Sequence, residues 1–252
     1  MTDHILTEVR DRVLHITFNR AEKKNALTVA MYARMVEAME SAEADDNVRA
    51  ILFTGAGEAF TAGNDMIDFM QNPPLGEDAP VSQFLRCLLT AKKPLVMAVN
   101  GVGVGIGLTM CLHADIVYAS DAAMLMAPFV DLALVPEAAS SILLPARVGH
   151  ARAAEIFMLG KKVSAAEALD MGLVSAVYSP EALLEATEAA AEALAAKAPT
   201  SLQQTKALMR GDLEVLAERM AKEGSLFGER LTSPEFAEAA TAFMEKRAPN
   251  FG

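Results

Sequence analysis

Basic residues are scarce in this sequence: 22 Lys and Arg stand against 33 Asp and Glu, a formal net charge of −11. Duplex binding draws on clustered cations, so nucleic acid is not a general partner. Any polyanionic ligand must be met by a few local lysines. Cysteine is rarer still: Cys87 and Cys111 lie in apolar runs without ligand-like spacing, which predicts buried core thiols in a reducing compartment. No stretch reaches about 18 consecutive apolar residues, and the start Met-Thr-Asp-His-Ile has no basic segment leading into an apolar one. No membrane partner is expected, and a soluble, cytoplasmic protein is. There is no internal repeat, and the one biased tract, the Ala/Glu-rich stretch 181–196, reads as a solvated helix face. His15, His113 and His150 fall in a strand, a helix-to-strand junction and a turn; none has companions at metal-ligand spacing, so no metal site is expected.

What is present suffices for a sizeable core, since 252 residues that are 52% hydrophobic and 22% charged fit a globular chain of one or two domains. Two β-rich runs flank Arg-Asp-Arg within 5–18 and read as a hairpin, followed by a basic loop over 19–25. Val29, Met31, Met35, Val36 and Met39 recur at helical spacing behind Thr28, which predicts an amphipathic helix over 28–44 with Thr28 as its N-cap. Apolar runs at 49–54, 94–99, 114–119 and 124–126 read as strands, and 81–91 as a helix. The stretch 71–80, with three prolines and a glycine, reads as a mobile surface loop. Strands alternating with helices give an α/β class with parallel strands. Beyond about residue 151 strands become scarce, and 153–159, 164–171, 181–196, 201–220 and 234–246 read as helices, Ser164 capping the second. These pack on the core or reach for a partner subunit.

The most informative stretch is Pro94-Leu-Val-Met-Ala-Val-Asn-Gly-Val-Gly-Val-Gly-Ile-Gly-Leu-Thr109, where a strand runs into glycines at 101, 103, 105 and 107 and then into an apolar helix. Alternate glycines let backbone approach a ligand and leave the N–H groups of a helix start unblocked, which suits an anion or a developing oxyanion. The dinucleotide fingerprint Gly-x-Gly-x-x-Gly fails, because its third glycine falls on Ile106 or Leu108; only Asp121 then supports a nicotinamide reading. Close strand–helix packing is the other explanation of these glycines. A second glycine loop, Phe60-Thr-Ala-Gly-Asn-Asp65, also follows an apolar strand. Two such loops at the ends of neighbouring strands can aim two N–H groups at one oxygen.

With these loops, Asn19-Arg-Ala-Glu-Lys-Lys-Asn-Ala-Leu27, Ala114-Asp-Ile-Val-Tyr-Ala-Ser-Asp121 and Ala165-Ala-Glu-Ala-Leu-Asp-Met-Gly-Leu-Val174 follow in the same order. From about residue 5 to its C-terminus the chain resembles the crotonase, or enoyl-CoA hydratase/isomerase, superfamily. The resemblance implies an α/β, crotonase-like spiral of β-β-α turns over 1–195, for acyl-CoA binding and catalysis. It also implies a helical region over 196–252, for trimerisation and completion of the CoA site. An acyl-CoA thioester would bind at loop 19–27, Lys23 and Lys24 supplying the local cations for its phosphates. Ala26, Ala62, Asp65, Met66 and Phe129 would line the substrate, and the N–H groups of Asn64 and Ile106 would form an oxyanion hole. Phe243 and Lys246, at i and i+3 on one face of the final helix, would reach the adenine-phosphate end of CoA. Homotrimers or dimers of trimers are implied, and no cofactor beyond the CoA of the substrate.

Hydratases of this family carry two glutamates at positions that match Thr109 and Phe129, and neither residue is acidic here. Adding water to a double bond needs one group to activate the water and another to deliver a proton, so a standard hydratase is not expected. Glu137, in Leu132-Ala-Leu-Val-Pro-Glu-Ala-Ala-Ser-Ser141, matches the catalytic glutamate of the peroxisomal type of Δ3,Δ2-enoyl-CoA isomerase. Without the resemblance it is a helix-start carboxylate, with apolar neighbours that would raise its pKa if it were buried. Asp131 reads as structural. The implied reaction converts a 3-enoyl-CoA to a 2-enoyl-CoA, with Glu137 carrying the proton. The alternatives are another crotonase-family reaction (hydration, thioester hydrolysis or decarboxylation) and a CoA-ester binding subunit without turnover. Segments 71–80 and 124–134 would shape the acyl pocket.

Overall fold

The computed structural model describes residues 3–73 and 76–252, so Pro74 and Leu75 of the expected 71–80 loop lie outside the described residues. Strands β1 (Ile5–Arg10) and β2 (Val13–Phe18) pair antiparallel, closed by Asp11 and Arg12, both at positive φ. Such a pair matches the strand twist of a two-residue hairpin. Thr28 accepts a hydrogen bond from Met31 N–H at 3.3 Å and caps α1 (Val29–Ala44) as expected. Next come β3 (Ala50–Gly55), β4 (Ala59–Thr61), α2 (Met66–Gln71), α3 (Pro80–Thr90), β5 (Leu95–Val99), β6 (Val102–Val104), α4 (Ile106–Thr109), β7 (Ile116–Ser120) and β8 (Met124–Met126). The rest is α5 (Ser140–Val148), α6 (His150–Met158), β9 (Val163–Ser164), α7 (Ala165–Asp170), β10 (Ala176–Tyr178), α8 (Pro180–Ala195), α9 (Pro199–Arg210), α10 (Leu213–Leu231) and α11 (Pro234–Glu245).

Three consecutive units repeat one path: a strand of a large sheet, a short strand of a small sheet, then helix. The large sheet runs β1-β2-β3-β5-β7-β10, parallel beyond the first hairpin, and the small one β4-β6-β8-β9. This is the expected spiral of β-β-α turns. Every residue of β5 is buried, as a parallel strand covered on both faces requires. The main core lies on one face; on the other, Val13, Ala50, Leu52 and Val96 pack against Ala191 and Ala195 of α8.

Several expectations are corrected. The glycine run does not lead directly from strand to helix: β6 intervenes, and α4 is a single turn continued by a 3₁₀ turn, Met110–His113. The crossover between sheets depends on close backbone contact, since a Cβ on Gly101 would lie 1.9 Å from the Glu58 carbonyl oxygen. Asn100 ties two such crossovers together, its Oδ1 accepting from Gly55 N–H at 3.1 Å and its Nδ2 donating to the Gly57 carbonyl at 2.9 Å. The helix expected over 201–220 is two helices, divided at Gly211 (φ 71), after which Asp212 caps α10 by accepting from Glu214 N–H. Helix α5 and the strands β9 and β10 were not expected, and His150 opens α6 instead of sitting in a turn. Cys111 is a buried thiol but Cys87 is only half-buried. Ser164 caps α7 as expected, through a reciprocal box with Glu167.

The last two helices fold back on the core: α10 packs on α3 and α5, and α11 on the 3₁₀ turn Val130–Leu132. Among the described residues no helix is long and apolar enough to cross a membrane.

Candidate active site

Two turns of the spiral bring the two glycine loops into contact. The loop after β4 is zipped to the basic loop: Ala62 N–H donates to the Lys24 carbonyl (2.9 Å), Leu27 N–H to that of Gly63 (2.8 Å) and Asp65 N–H to that of Leu27 (2.8 Å). Asn64 N–H, between these bonds, has no acceptor among the described residues. The loop after β6 turns at Gly105, at φ 56 and ψ −112, which L-residues avoid, and Ile106 follows as the first residue of α4. Its N–H likewise has no acceptor among the described residues. A Cβ on Gly63 would lie 3.0 Å from the Val104 carbonyl oxygen, so the loops are in contact. The sequence-predicted pair Asn64 and Ile106 is therefore brought together by neighbouring strands.

Glu137 joins them through the other end of α4. Its Oε1 accepts a 2.6 Å hydrogen bond from the hydroxyl of Thr109, the last residue of the helix that Ile106 opens. Three residues of helix span only about 5 Å along the axis. Glu137 is half-buried: protein surrounds it closely, yet solvent still reaches it. Burial pushes its carboxyl up to about 7, against the Thr109 bond and with help from the charge of Glu223. Tyr32 is tied to the first loop and feels the charge of the carboxyl. Its hydroxyl donates to Asn64 Oδ1 at 2.6 Å, and burial and then the charge of Glu137 hold its pKa well above the usual phenol value.

The remaining candidates fall in different settings. Lys23 and Lys24 are exposed on the 3₁₀ turn that begins the basic loop, Lys24 in the left-handed region. Ala26, Ala62 and Met66 are half-buried beside the zipped loops. Both carboxylate oxygens of Asp65 are engaged within the protein: Oδ1 accepts from Ile67 and Asp68 N–H and caps α2, and Oδ2 accepts from Arg20 at 2.7 Å. Burial opposes this charge, but the Arg20 bond and the cap hold the Asp65 carboxyl below its ordinary value. Phe129 is buried, its ring centroid 6.0 Å from that of Phe157. Phe243 is 61% exposed near the end of α11. Lys246 lies beyond the helix at φ 55, so the expected shared helical face of Phe243 and Lys246 does not exist. Glu137 lines neither the recess of about 210 Å³ bordered by His113, Arg147 and Arg210 nor that of about 720 Å³ bordered by Glu43, Arg86 and Cys87.

Sequence reasoning missed Tyr32, Arg20 and Glu223. Tyr32 had a signal: it lies on the apolar stripe of α1, where a buried phenol needs a hydrogen-bond partner. Glu223 had none, being one acidic residue in a helix of mixed charge.

Residues 8–252 match the profile of a family described as Enoyl-CoA hydratase/isomerase. The chain belongs to that family. An enoyl-CoA hydratase/isomerase from Pseudoalteromonas atlantica, known from its crystal structure, is 43% identical with a TM-score of 0.96, over 99% of this chain and 100% of the other. The 1,2-epoxyphenylacetyl-CoA isomerase of Escherichia coli is 32% identical over 100% of this chain and 99% of its own. Enoyl-CoA delta isomerase 2 of Rattus norvegicus is 36% identical over 96% of this chain and 64% of its own. Relatives at this distance carry different reactions in their names. Membership in the enoyl-CoA hydratase/isomerase family makes the protein an acyl-CoA enzyme; the individual reaction depends on the site.

Proposed function

We propose that the protein is a Δ3,Δ2-enoyl-CoA isomerase with Glu137 as its only proton carrier. One observation carries the reading: the half-buried carboxyl near pKa 7 is partnered by a threonine hydroxyl, and positions 109 and 129 hold no acid. As a carboxylate, Glu137 takes the C2 proton of a 3-enoyl thioester. The electron pair of the broken C–H bond shifts onto the thioester oxygen, giving a dienolate whose charge the Asn64 and Ile106 N–H groups stabilise. Protonated Glu137 returns the proton at C4, and the double bond is left between C2 and C3. A pKa near the working pH suits a group that must act in both senses. The double bond only migrates, so the reaction calls for no metal or redox cofactor. Lys23 and Lys24 meet the CoA phosphates, and Phe243 and Lys246 approach its nucleotide end. The working assembly is a homotrimer or a dimer of trimers, supported by apolar side chains left exposed on α9 and α11.

The test is Glu137→Gln assayed with a 3-enoyl-CoA in deuterated water. Isomerisation and C2 hydrogen exchange should fall by roughly 10²–10⁴-fold, with CoA-ester affinity nearly kept. A variant that isomerises at the wild-type rate removes the reading. Wild-type protein that hydrates a 2-enoyl-CoA faster than it isomerises would replace it with hydration.

A further inference from the structure

We propose that Glu223 is a positioning residue for Glu137, reaching across from α10 to hold the turn on which that carboxyl is mounted. This rests on the proton-carrying role given to Glu137 above. Nineteen residues make up α10, and the only one it buries is Glu223, 5% exposed. Met220, Phe227 and Leu231 of the same helix pack half-buried against the core, so its most deeply buried side chain is a carboxylate, which packing alone does not call for. Glu223 Oε1 accepts the Ser141 N–H at 2.9 Å, in the first turn of α5.

The segment it grips is conformationally unusual. Glu137 is followed by Ala138 at φ 61 and Ala139 at φ 54, two successive alanines in the left-handed region that L-residues avoid. Such a backbone persists only where its surroundings over-determine it. Two contacts do so. The His113 ring N–H at Nε2 donates to the Ala138 carbonyl at 2.8 Å, and Glu223 holds Ser141 on the far side. Burial pushes His113 down to about 4, so it is a neutral ring at working pH. The cost of the arrangement is visible, because Glu223 Oε2 is buried without a hydrogen-bond partner among the described residues. A half-satisfied buried carboxylate weakens a fold, so its presence calls for another explanation. Around these carboxyls stand Thr109 on α4, Tyr32 on α1, and Ser141 and Arg219 beside Glu223. Burial raises the Glu223 carboxyl above its ordinary value, with the Ser141 bond and the Arg219 charge opposing. Without Glu223, residues 138 and 139 are free to relax to the right-handed region, which swings Glu137 off Thr109.

The experiment compares Glu223→Ala and Glu223→Gln with wild type for kcat, KM, C2 hydrogen exchange, thermal midpoint and pH–rate profile. Alanine removes the acceptor of the Ser141 N–H; glutamine keeps it and removes only the charge. Glu223→Ala should lower kcat by about 10–100-fold with KM nearly unchanged, the scale of a misplaced reacting group. Glu223→Gln should restore kcat to within about threefold, with the acidic limb moved to lower pH because a negative charge facing Glu137 is gone. Wild-type kcat in Glu223→Ala overturns the proposal, as does an equal loss in both variants that only follows their thermal midpoints. Should Glu223→Ala fail to fold, an unmoved acidic limb in Glu223→Gln overturns it. If Glu137→Gln is itself fully active, the proposed reaction has failed. If Glu137→Gln is inactive while Glu223→Ala matches wild type, only the positioning role has failed.

Discussion

A carboxyl that exchanges protons near neutrality must be held away from water, and that has a thermodynamic consequence for Glu137. Its folded pKa of about 7 lies above the ordinary 4.5, so the folded state binds this proton more tightly than the unfolded chain does. Its contribution to stability is therefore fullest below 4.5 and is lost as pH rises through 7. Glutamine does not titrate, so Glu137→Gln should be more stable than wild type by about 1–3 kcal/mol at pH 8 and nearly equal to it at pH 4.5. Thermal unfolding at the two pH values checks the sign. The proposed isomerisation should rise with pH and level off above about 7 in the wild type. Tyr32 is the other residue to test. Tyr32→Phe leaves Asn64 Oδ1 without its donor, which should cost about 1 kcal/mol of stability. The kcat of the proposed isomerisation should fall with it, because the side chain that Tyr32 anchors belongs to the residue whose N–H is proposed to bind the dienolate. Unfolding in urea and steady-state kinetics measure the two effects.

At the scale of elements, the site is built by short pieces whose length follows from their place between the two sheets. Helix α4 has four residues because it begins where β6 ends, at a glycine, and closes on the threonine that meets Glu137. Gly105 is needed there for its conformation alone: a Cβ would meet nothing within 4 Å, but φ 56 with ψ −112 excludes L-residues. Gly105→Ala should therefore destabilise by more than about 1 kcal/mol without any steric clash. Any relaxation reorients the Ile106 N–H, so C2 hydrogen exchange should fall while the far-ultraviolet dichroism of the helices and strands stays intact. The other glycines of the run differ in their reason. Gly101 and Gly107 are pressed against Glu58 and Thr61, which is the packing explanation, and only part of the run serves the site.

At the scale of the whole molecule, the later helices leave large apolar side chains open to solvent. Leu208 and Met209, at the end of α9, are 85% and 79% exposed, and Met158 and Leu159, at the end of α6, are 66% and 75% exposed. Side chains this large and open mark a contact surface when they cluster. The double variant Leu208→Glu, Met209→Glu should keep its thermal unfolding transition while light scattering reports a smaller particle than wild type. A wild type that scatters as a monomer would reject the proposed trimer. The C-terminal helices also serve the core of their own chain: α11 buries Phe236, Ala239, Ala240 and Ala242, and α10 supplies Glu223.

The sequence by itself determined the hairpin, the cap at Thr28, the buried strands of the large sheet, the cap at Ser164 and the two glycine loops, because each is encoded by neighbouring residues. Glu137, Asn64 and Ile106 were singled out only through the resemblance that its short motifs carry to a known family. The sequence showed one strand of the second sheet, 124–126, but not the sheet itself, because β4, β6 and β9 have two or three residues each and carry too little periodicity to distinguish them from loops. The break at Gly211 was hidden because the residues on both sides keep good helix propensity. Only the tertiary structure decided that Tyr32 meets Asn64, that Thr109 meets Glu137, and that Glu223 grips the turn at Ser141, 82 residues away. It likewise decided that Lys246 lies beyond the helix of Phe243. Contacts of this kind depend on how the chain closes on itself, and the pKa of a carboxyl depends on what then surrounds it; neither is written in the identity of the residue alone.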